Sequence, residues 1–240
     1  MQENRNKKMG FRDGLPIGLG YLSVSFAFGI FGVSSGLSVI ECFLISALNL
    51  TSAGQLAAVP IIATGGGLIE LAMTQLIINL RYSLMSVSLS QRLGESCRLH
   101  DRFLTSFFIT DEIFAVSSSK GGPVGREYLY SLALDPVLGW TMGTLLGALA
   151  GNVLPQILVN ALGIAIYAMF IAIVVPDARS NGSVALCVLA SALLSILFYY
   201  VPPLSTIPSG FAIIICATVA SLLFAVLAPI EPKQEVDGNA

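Results

Sequence analysis

Charged side chains stand inside apolar stretches of this sequence, where hydrocarbon would surround them. Arg81 lies near the middle of one such stretch, close to Asn79. Asp111 and Glu112 lie at the middle of another. A charge near the centre of a bilayer costs at least about 2.5–3.5 kcal/mol on insertion scales, so such residues face the interior of a helix bundle and pair with one another. The sequence therefore predicts an interior polar site with one permanent cation and two carboxylates.

The arginine in this site suits the recognition of a carboxylate. Its planar guanidinium stays protonated, so Arg81 could hold the carboxylate of a small amphipathic substrate or one of the protein's own carboxylates. Asp111 and Glu112 are neighbours and point about 100° apart on a regular helix, so both cannot face Arg81. One could pair with the arginine while the other exchanges a proton during a transport cycle. The alternative is an interior salt bridge that only fixes helix register.

The composition requires that membrane helices position these residues. Of 240 residues, 55% are hydrophobic and 11% are charged, whereas about a quarter of a soluble domain is charged. Nine of the 26 formal charges lie in residues 1–12 and 231–240, which leaves the middle of the chain almost uncharged. Soluble enzymes, nucleic-acid-binding proteins and disordered chains are excluded, because each needs a polar surface that is missing here.

Eight apolar runs approach the length of about 20 residues that a helix needs to cross a membrane. Continuous runs are not the short alternating strands of a membrane barrel. We predict an all-α polytopic membrane protein with seven or eight transmembrane helical segments, at least one of which is interrupted or re-entrant. The runs are 15–33, 37–62, 68–90, 103–118, 128–150, 157–175, 183–201 and 209–229.

The chain is predicted to hold a single membrane domain over residues 13–230, between a basic cytoplasmic N-terminus (1–12) and a polar C-terminal tail (231–240). With eight full crossings, the cytoplasmic segments contain eight Lys and Arg residues and the outside contains three, as the positive-inside rule requires. Those three share one short loop, which by itself would prefer the cytoplasm. If one run re-enters the membrane without crossing it, every later segment would lie on the opposite side of the membrane from the one assigned with eight crossings. The three residues are Arg92, Arg98 and Arg102.

Two runs are predicted to be irregular. The run 37–62 contains NLTSAGQ (49–55) at its middle, and the run 103–118 has only 16 residues with a polar centre. Interrupted helices line polar cavities in transporters. The alternative is two ordinary helices whose polar side chains bond back to the backbone. The candidate substrate- or ion-binding residues are Asn49, Ser52, Gln55, Asn79, Arg81, Thr110, Asp111 and Glu112.

Glycine recurs at every fourth position of the run 128–150 and just beyond it. This spacing places the glycines on one helix face, where another helix can approach closely. The partner helix could belong to this chain or to another subunit, and we favour an internal partner. The glycines are Gly139, Gly143, Gly147 and Gly151.

Other polar residues are predicted to be structural. Glu41 and Glu70 lie near segment ends, from which their carboxylates can reach the interface. His100, the single histidine, lies in a basic loop without metal-ligand partners, and the cysteines lack metal-like spacing. We predict no metal site and no cofactor. The cysteines are Cys42, Cys97, Cys187 and Cys216.

Four motifs, taken together and in order, resemble the AzlC family, the large subunits of two-component branched-chain amino acid exporters. The resemblance spans nearly the whole chain. It implies a multi-pass permease of the plasma membrane that exports amino acids such as valine or leucine together with a small hydrophobic AzlD-like subunit. It also implies a role for Asn79, Arg81, Thr110, Asp111 and Glu112. The motifs are DGLPIGLGYLSVSFAFGI (13–30), SAGQLAAV (52–59), NLRYSLMS (79–86) and TDEIFA (110–115).

The leading hypothesis is therefore a secondary exporter of branched-chain amino acids, embedded in lipid and without a nucleic-acid partner. The sequence has no nucleotide-binding loop, so the energy must come from an ion gradient or from a partner, and a proton gradient is the simplest source. We expect no enzymatic activity. The alternatives are a channel or scaffold subunit of a membrane complex and an intramembrane enzyme, which would need a nucleophile with a base, or two catalytic aspartates, at membrane depth.

Overall fold

The computed structural model describes residues 2–94, 96–151, 153–155, 157–158, 171, 174–176 and 178–227. These residues confirm the predicted helical membrane fold; most of run 157–175 and the tail 231–240 lie outside them. Among the described residues, four helices are long and apolar enough to cross a membrane: α1, α7, α8 and α10. The helices are α1 (Gln2–Ser34), α2 (Val39–Leu48), α3 (Ala53–Ala63), α4 (Leu68–Ser90), α5 (Leu99–Phe108), α6 (Asp111–Ser118), α7 (Arg126–Gly151), α8 (Gly182–Tyr200), α9 (Pro202–Ser205) and α10 (Ser209–Leu227).

Helices α1 and α7 pack side by side and form the centre of the fold. A Cβ atom added at Gly139 would overlap the backbone of Gly18, and one added at Gly147 would overlap that of Phe26. Later residues of α7 contact later residues of α1, so the two helices are parallel and cross the membrane in the same direction. The predicted close approach at the glycine stripe is confirmed, and the partner helix belongs to this chain.

The pair α2–α3 begins and ends on the side where α1 ends. Near its start, α2 places Cys42 against Gly32 of α1, and near its end Ser46 bonds Thr144 in the second half of α7. Helix α3 then returns alongside the first half of α4, because Gly54 lies beside the middle of α4 and Gly66 lies beside its first turn. The run 37–62 is therefore re-entrant, and its two helices meet within the membrane.

The pair α5–α6 enters from the opposite side and also returns. The loop before α5 bonds the loop after α6, with Gly94 N donating to Val124 O (2.9 Å) and Val124 N donating to Arg92 O (2.8 Å). Arg92 Nη1 also donates to the carbonyl of Ser118 at the end of α6 (2.7 Å). Both ends of α5–α6 therefore lie at the side from which α1 starts, and the run 103–118 does not cross.

Two re-entrant pairs change the predicted topology and remove its conflict with the positive-inside rule. Helix α4 runs back to the side where α1 starts, so the loop before α5 lies there too. The assignment of that loop to the outside under eight full crossings is wrong. The opposite loops 35–38 and 64–67 contain no Lys or Arg, so the positive-inside rule predicts that the basic side faces the cytoplasm. Its basic residues, up to the end of α7, are Arg5, Lys7, Lys8, Arg12, Arg92, Arg98, Arg102, Lys120 and Arg126.

Cysteine labelling tests this topology. Gln91→Cys and Gly121→Cys are expected to react with a membrane-impermeant thiol reagent from the cytoplasmic side, and Gly67→Cys from the other side. All three positions are exposed, and the comparison is made in a background without the native cysteines. Labelling of Gln91→Cys and Gly121→Cys from opposite sides would mean that the run 103–118 crosses the membrane.

Helices α8 and α10 form an antiparallel hairpin that docks on α4 through a buried carboxylate. Cys187 of α8 lies against the carbonyl of Ala220 of α10. Glu70 of α4 is 7% exposed, and its Oε1 accepts a hydrogen bond from Gly210 N in the first turn of α10 (2.8 Å). Glu70 is structural as predicted, but its carboxylate is buried against the first turn of α10 instead of reaching the interface. Glu41 is exposed and caps α2 through Ser38.

The Glu70→Ala variant is expected to lower the stability of the protein by about 1–3 kcal/mol, because it leaves the buried amide of Gly210 without its acceptor. Thermal unfolding in detergent measures the change. The control is Glu41→Ala, which removes a carboxylate from an exposed helix start and should lower the melting temperature less. An equal effect of the two substitutions would show that Glu70 is not a tertiary anchor.

Candidate functional site

The interruptions of the two re-entrant pairs have different local causes. Thr110 caps α6, since its Oγ1 accepts from Ile113 N (3.4 Å), and two acids follow in the first turn of the helix. Threonine at an N-cap and carboxylates in the first turn both favour a helix start. At the other interruption, Ser52 precedes α3 with φ of 33°, a left-handed value that is unusual for a residue with a side chain. The predicted interruption of both runs is confirmed.

The two interruptions meet at one cavity of about 680 Å³, a volume within the range of about 300–1,000 Å³ that is typical of small-molecule sites. Helix α1 supplies one wall, and α4 and Trp140 of α7 supply others. The polar part of the lining comes from the tips of the re-entrant pairs and from the middle of α4. The apolar part comes from Ile17, Val24, Leu50, Ile78 and Val174.

The predicted pairing of the arginine with a carboxylate is present in this cavity. Arg81 Nη1 lies 2.6 Å from Asp111 Oδ2, and the two side chains are 46% and 48% exposed. Arg81 Nη2 also donates to the hydroxyl of Tyr82 (3.2 Å). The ion pair joins α4 to the first turn of α6 at the cavity surface. Because about half of each side chain is open to the cavity, a ligand can reach both charges.

The second carboxylate has a different partner. Glu112 Oε2 accepts a short hydrogen bond from the hydroxyl of Tyr21 on α1. The side chain of Glu112 is exposed to the cavity. The expected pairing of one carboxylate with the arginine is present and falls to Asp111, but the other carboxylate is not left free as expected, because Glu112 is bonded to a neutral hydroxyl.

Five of the eight candidate residues line the cavity, and three do not. Gln55 is fully buried between α2 and α7. Asn79 Nδ2 donates to Gln75 Oε1 (3.1 Å), and Gln75 in turn holds the carbonyl of Gly54 (2.8 Å). Asn49 ends α2 in extended backbone. The lining candidates are Ser52, Arg81, Thr110, Asp111 and Glu112.

Sequence reasoning missed the aromatic residues of the site. Tyr21 and Tyr82 bond the charged residues, and Trp140 packs edge-on against Tyr21, with ring centroids 5.3 Å apart and planes at 73°. Trp140 is 2% exposed. Its position at the middle of a transmembrane run was a usable signal, because tryptophan in a membrane helix is otherwise enriched at the interface.

Comparison with known proteins places the chain in a family. The AzlC protein family matches residues 16–154, more than half of the chain. An uncharacterized membrane protein of Archaeoglobus fulgidus is 31% identical over 195 residues, which cover 75% of this chain and 85% of that protein.

Bacterial relatives give the same result. The inner membrane protein YgaZ of Escherichia coli is 29% identical over 189 residues, which cover 76% of each chain. An uncharacterized membrane protein of Helicobacter pylori is 26% identical over 149 residues, 59% of this chain and 64% of that protein. No solved structure matches the chain. With a matching family over most of the helical core and relatives that are all membrane proteins, the chain belongs to the AzlC family.

Proposed function

We propose that this protein is the large subunit of an exporter that moves branched-chain amino acids, such as valine or leucine, out of the cytoplasm. Transport is driven by a proton gradient and requires a small hydrophobic AzlD-like subunit. One observation carries the proposal: an accessible ion pair and a second carboxylate line a cavity whose remaining walls combine hydroxyl and apolar side chains. An amino acid zwitterion with an apolar side chain has the complementary chemistry.

The ion pair can bind the zwitterion without uncovering a charge. The substrate carboxylate binds the guanidinium of Arg81, and the substrate ammonium binds the carboxylate of Asp111. Two new ion pairs therefore replace the existing one. Unpaired charges are costly at this depth, and this exchange leaves every charge paired. The planar guanidinium suits two parallel hydrogen bonds to a carboxylate.

The apolar lining favours an aliphatic side chain over a polar one. Ile17, Val24 and Ile78 offer no hydrogen-bond partner for a hydroxyl or an amide, so a polar side chain placed against these three residues would lose its water without compensation. Discrimination among valine, leucine and isoleucine is expected to be weak, since one methylene in an apolar pocket is worth only about 1–3 kcal/mol.

Proton coupling is assigned to Glu112. Its partner is the neutral hydroxyl of Tyr21, whereas Asp111 has the guanidinium of Arg81 as its counter-charge. In the exchange described above, Asp111 is occupied by the substrate ammonium, which leaves Glu112 for the proton. Glu112 is therefore the better proton carrier of the two.

The small partner subunit has a possible docking surface on α8. Within the described part of the chain, α8 has no buried side chain and contacts the remainder through the α8–α10 hairpin. Its outer face is available to lipid or to another membrane-embedded chain. This exposed face supports the proposed membrane-embedded partner.

Flux measurements test the proposal. Proteoliposomes that contain this chain and its small partner should move labelled leucine when a proton gradient is imposed, and an ionophore that collapses the gradient should stop net movement. Omitting the partner tests its requirement. Absence of leucine and valine flux with every gradient, with and without the partner, would contradict transport and would favour the scaffold alternative.

A further inference from the structure

A chain of buried hydrogen bonds runs behind the cavity wall. It starts between α2 and α7, where Ser46 Oγ and Thr144 Oγ1 lie 2.7 Å apart. Gln55 Nε2, from α3, donates to Ser46 Oγ (2.8 Å), and Gln55 Oε1 accepts from Trp140 Nε1 on α7 (2.8 Å). Ser46, Gln55 and Thr144 are fully buried. The side-chain amide of Gln55 therefore ties the tip of the α2–α3 pair to the indole of Trp140.

The same indole leads to the other re-entrant pair. The edge-on contact between Trp140 and Tyr21 fixes the ring of Tyr21, whose hydroxyl donates to Glu112 in the first turn of α6. An indole with its N–H bonded has one preferred orientation, whereas an indole with an unpaired buried N–H must rotate or find water. The orientation of Trp140 is thus the link between Gln55 and the Tyr21–Glu112 hydrogen bond.

We propose that Gln55 is a positioning residue for Glu112, acting through Trp140 and Tyr21, and that this chain couples the tips of the two re-entrant pairs. The proposal rests on the proposed transport function, in which Glu112 carries the proton. It assigns Gln55 a role behind the lining instead of contact with the substrate. The substrate-binding pair of Arg81 and Asp111 has no part in the chain.

Double-mutant analysis of transport separates this role from a merely structural one. Gln55→Met keeps the size of the side chain but removes both hydrogen bonds, and Trp140→Phe removes the indole N–H. Each single variant should lower the maximal flux about tenfold, the effect of one lost buried hydrogen bond, with little change in KM. The double variant should be no worse than the single variants, because both break the same link.

The pH profile of transport and a matched control complete this experiment. The profile should shift in the same direction in Gln55→Met, Trp140→Phe and Tyr21→Phe. Gln91→Met makes the same chemical change at an exposed position at the end of α4 and should leave the flux and the profile unchanged. Additive losses in the double variant, or an unshifted profile in Gln55→Met, would overturn the proposal.

A spectroscopic experiment is independent of transport. Trp140 is the single tryptophan of the chain, so its emission reports on this site alone. In detergent, the wild-type emission should change with pH, and the change should vanish in Glu112→Gln, Tyr21→Phe and Gln55→Met. The other ionisable groups facing Glu112 are Asp111 beside it and Arg81 and Tyr82 on α4.

The variants distinguish these groups and the two possible failures. Asp111→Asn should keep the pH-dependent emission; its loss there would assign the titration to Asp111. A titration that persists in Gln55→Met would overturn the role of Gln55 even if transport is confirmed. If the pH-dependent emission of Trp140 behaves as expected but the protein shows no leucine or valine flux, the role of Gln55 would be supported and only the proposed transport function would be contradicted.

Discussion

The Arg81→Gln variant is expected to lower leucine flux by at least about 100-fold while the protein remains folded. Truncating one partner of a charge pair that binds a ligand costs about 2–5 kcal/mol, and about 2.7 kcal/mol corresponds to a factor of 100. The substitution leaves the substrate carboxylate without its cation and leaves Asp111 uncompensated. Initial rates of flux in proteoliposomes at matched protein content measure the effect.

Folding should survive the substitution because the ion pair lies at an accessible surface. Both side chains are about half exposed to the cavity, and exposed pairs stabilise proteins by about 1 kcal/mol or less. Arg81→Lys should keep part of the transport activity, because a lysine supplies the positive charge but not the planar set of N–H donors that binds a carboxylate with two hydrogen bonds. Arg102→Gln, which changes an exposed arginine in the first turn of α5, is the matched control. Unchanged leucine flux in Arg81→Gln would show that this cavity is not part of the transport pathway.

The Gly143→Leu variant is expected to abolish the folded state. An added Cβ would already overlap the carbonyl of Leu22 and the side chain of Ser25 on α1, and the rest of a leucine would push α1 and α7 apart. Overpacking costs about 1–3 kcal/mol where side chains can move; here backbone is in the way, so the loss should exceed about 4 kcal/mol. The recovery of monodisperse protein in mild detergent measures the effect.

A control substitution at a second glycine distinguishes the steric overlap at Gly143 from any general effect of replacing a helical glycine with leucine. Gly182 begins α8, and an added Cβ there would meet no atom within 4 Å, so Gly182→Leu should yield normal amounts of monodisperse protein. Gly143→Ala should give an intermediate loss, because even one methyl group meets the backbone of α1. A stable Gly143→Leu protein would mean that α1 and α7 are not in close contact in the membrane.

The positions of the interruptions followed from local chemistry and could be predicted. A threonine followed by two acids starts a helix wherever it stands, so the interruption before Asp111 is encoded by the residues beside it. The ion pair of Arg81 and Asp111 was predictable for a related reason: hydrocarbon leaves a charge few partners.

The return of both pairs to the side they entered was not predictable from hydrophobicity, because a re-entrant pair and a crossing helix have the same apolar composition. What distinguishes them is long-range pairing, such as the bonds between the backbones of Gly94 and Val124. Backbone bonds place almost no requirement on residue type. The positive charges carried the missing information, since the cluster of three arginines already conflicted with eight full crossings.

The role of Gln55 was hidden for another reason. A polar side chain in a membrane segment fits two interpretations equally well, a ligand for the substrate and a partner for another helix. Only the tertiary structure brings Gln55 to Trp140, 85 residues further along the chain. The inward position of Trp140 signalled that its indole needs an acceptor, but not which residue supplies it.

Binding of leucine to the purified protein, followed by the emission of Trp140, tests the central claim most directly. This indole lies in the cavity wall and is the single tryptophan of the chain, so occupancy of the cavity should change its emission. We expect a saturable change with leucine and valine in the wild type and in Arg102→Gln, and none in Arg81→Gln. A saturable leucine signal of unchanged affinity in Arg81→Gln would contradict an amino acid site at the tips of the two re-entrant pairs.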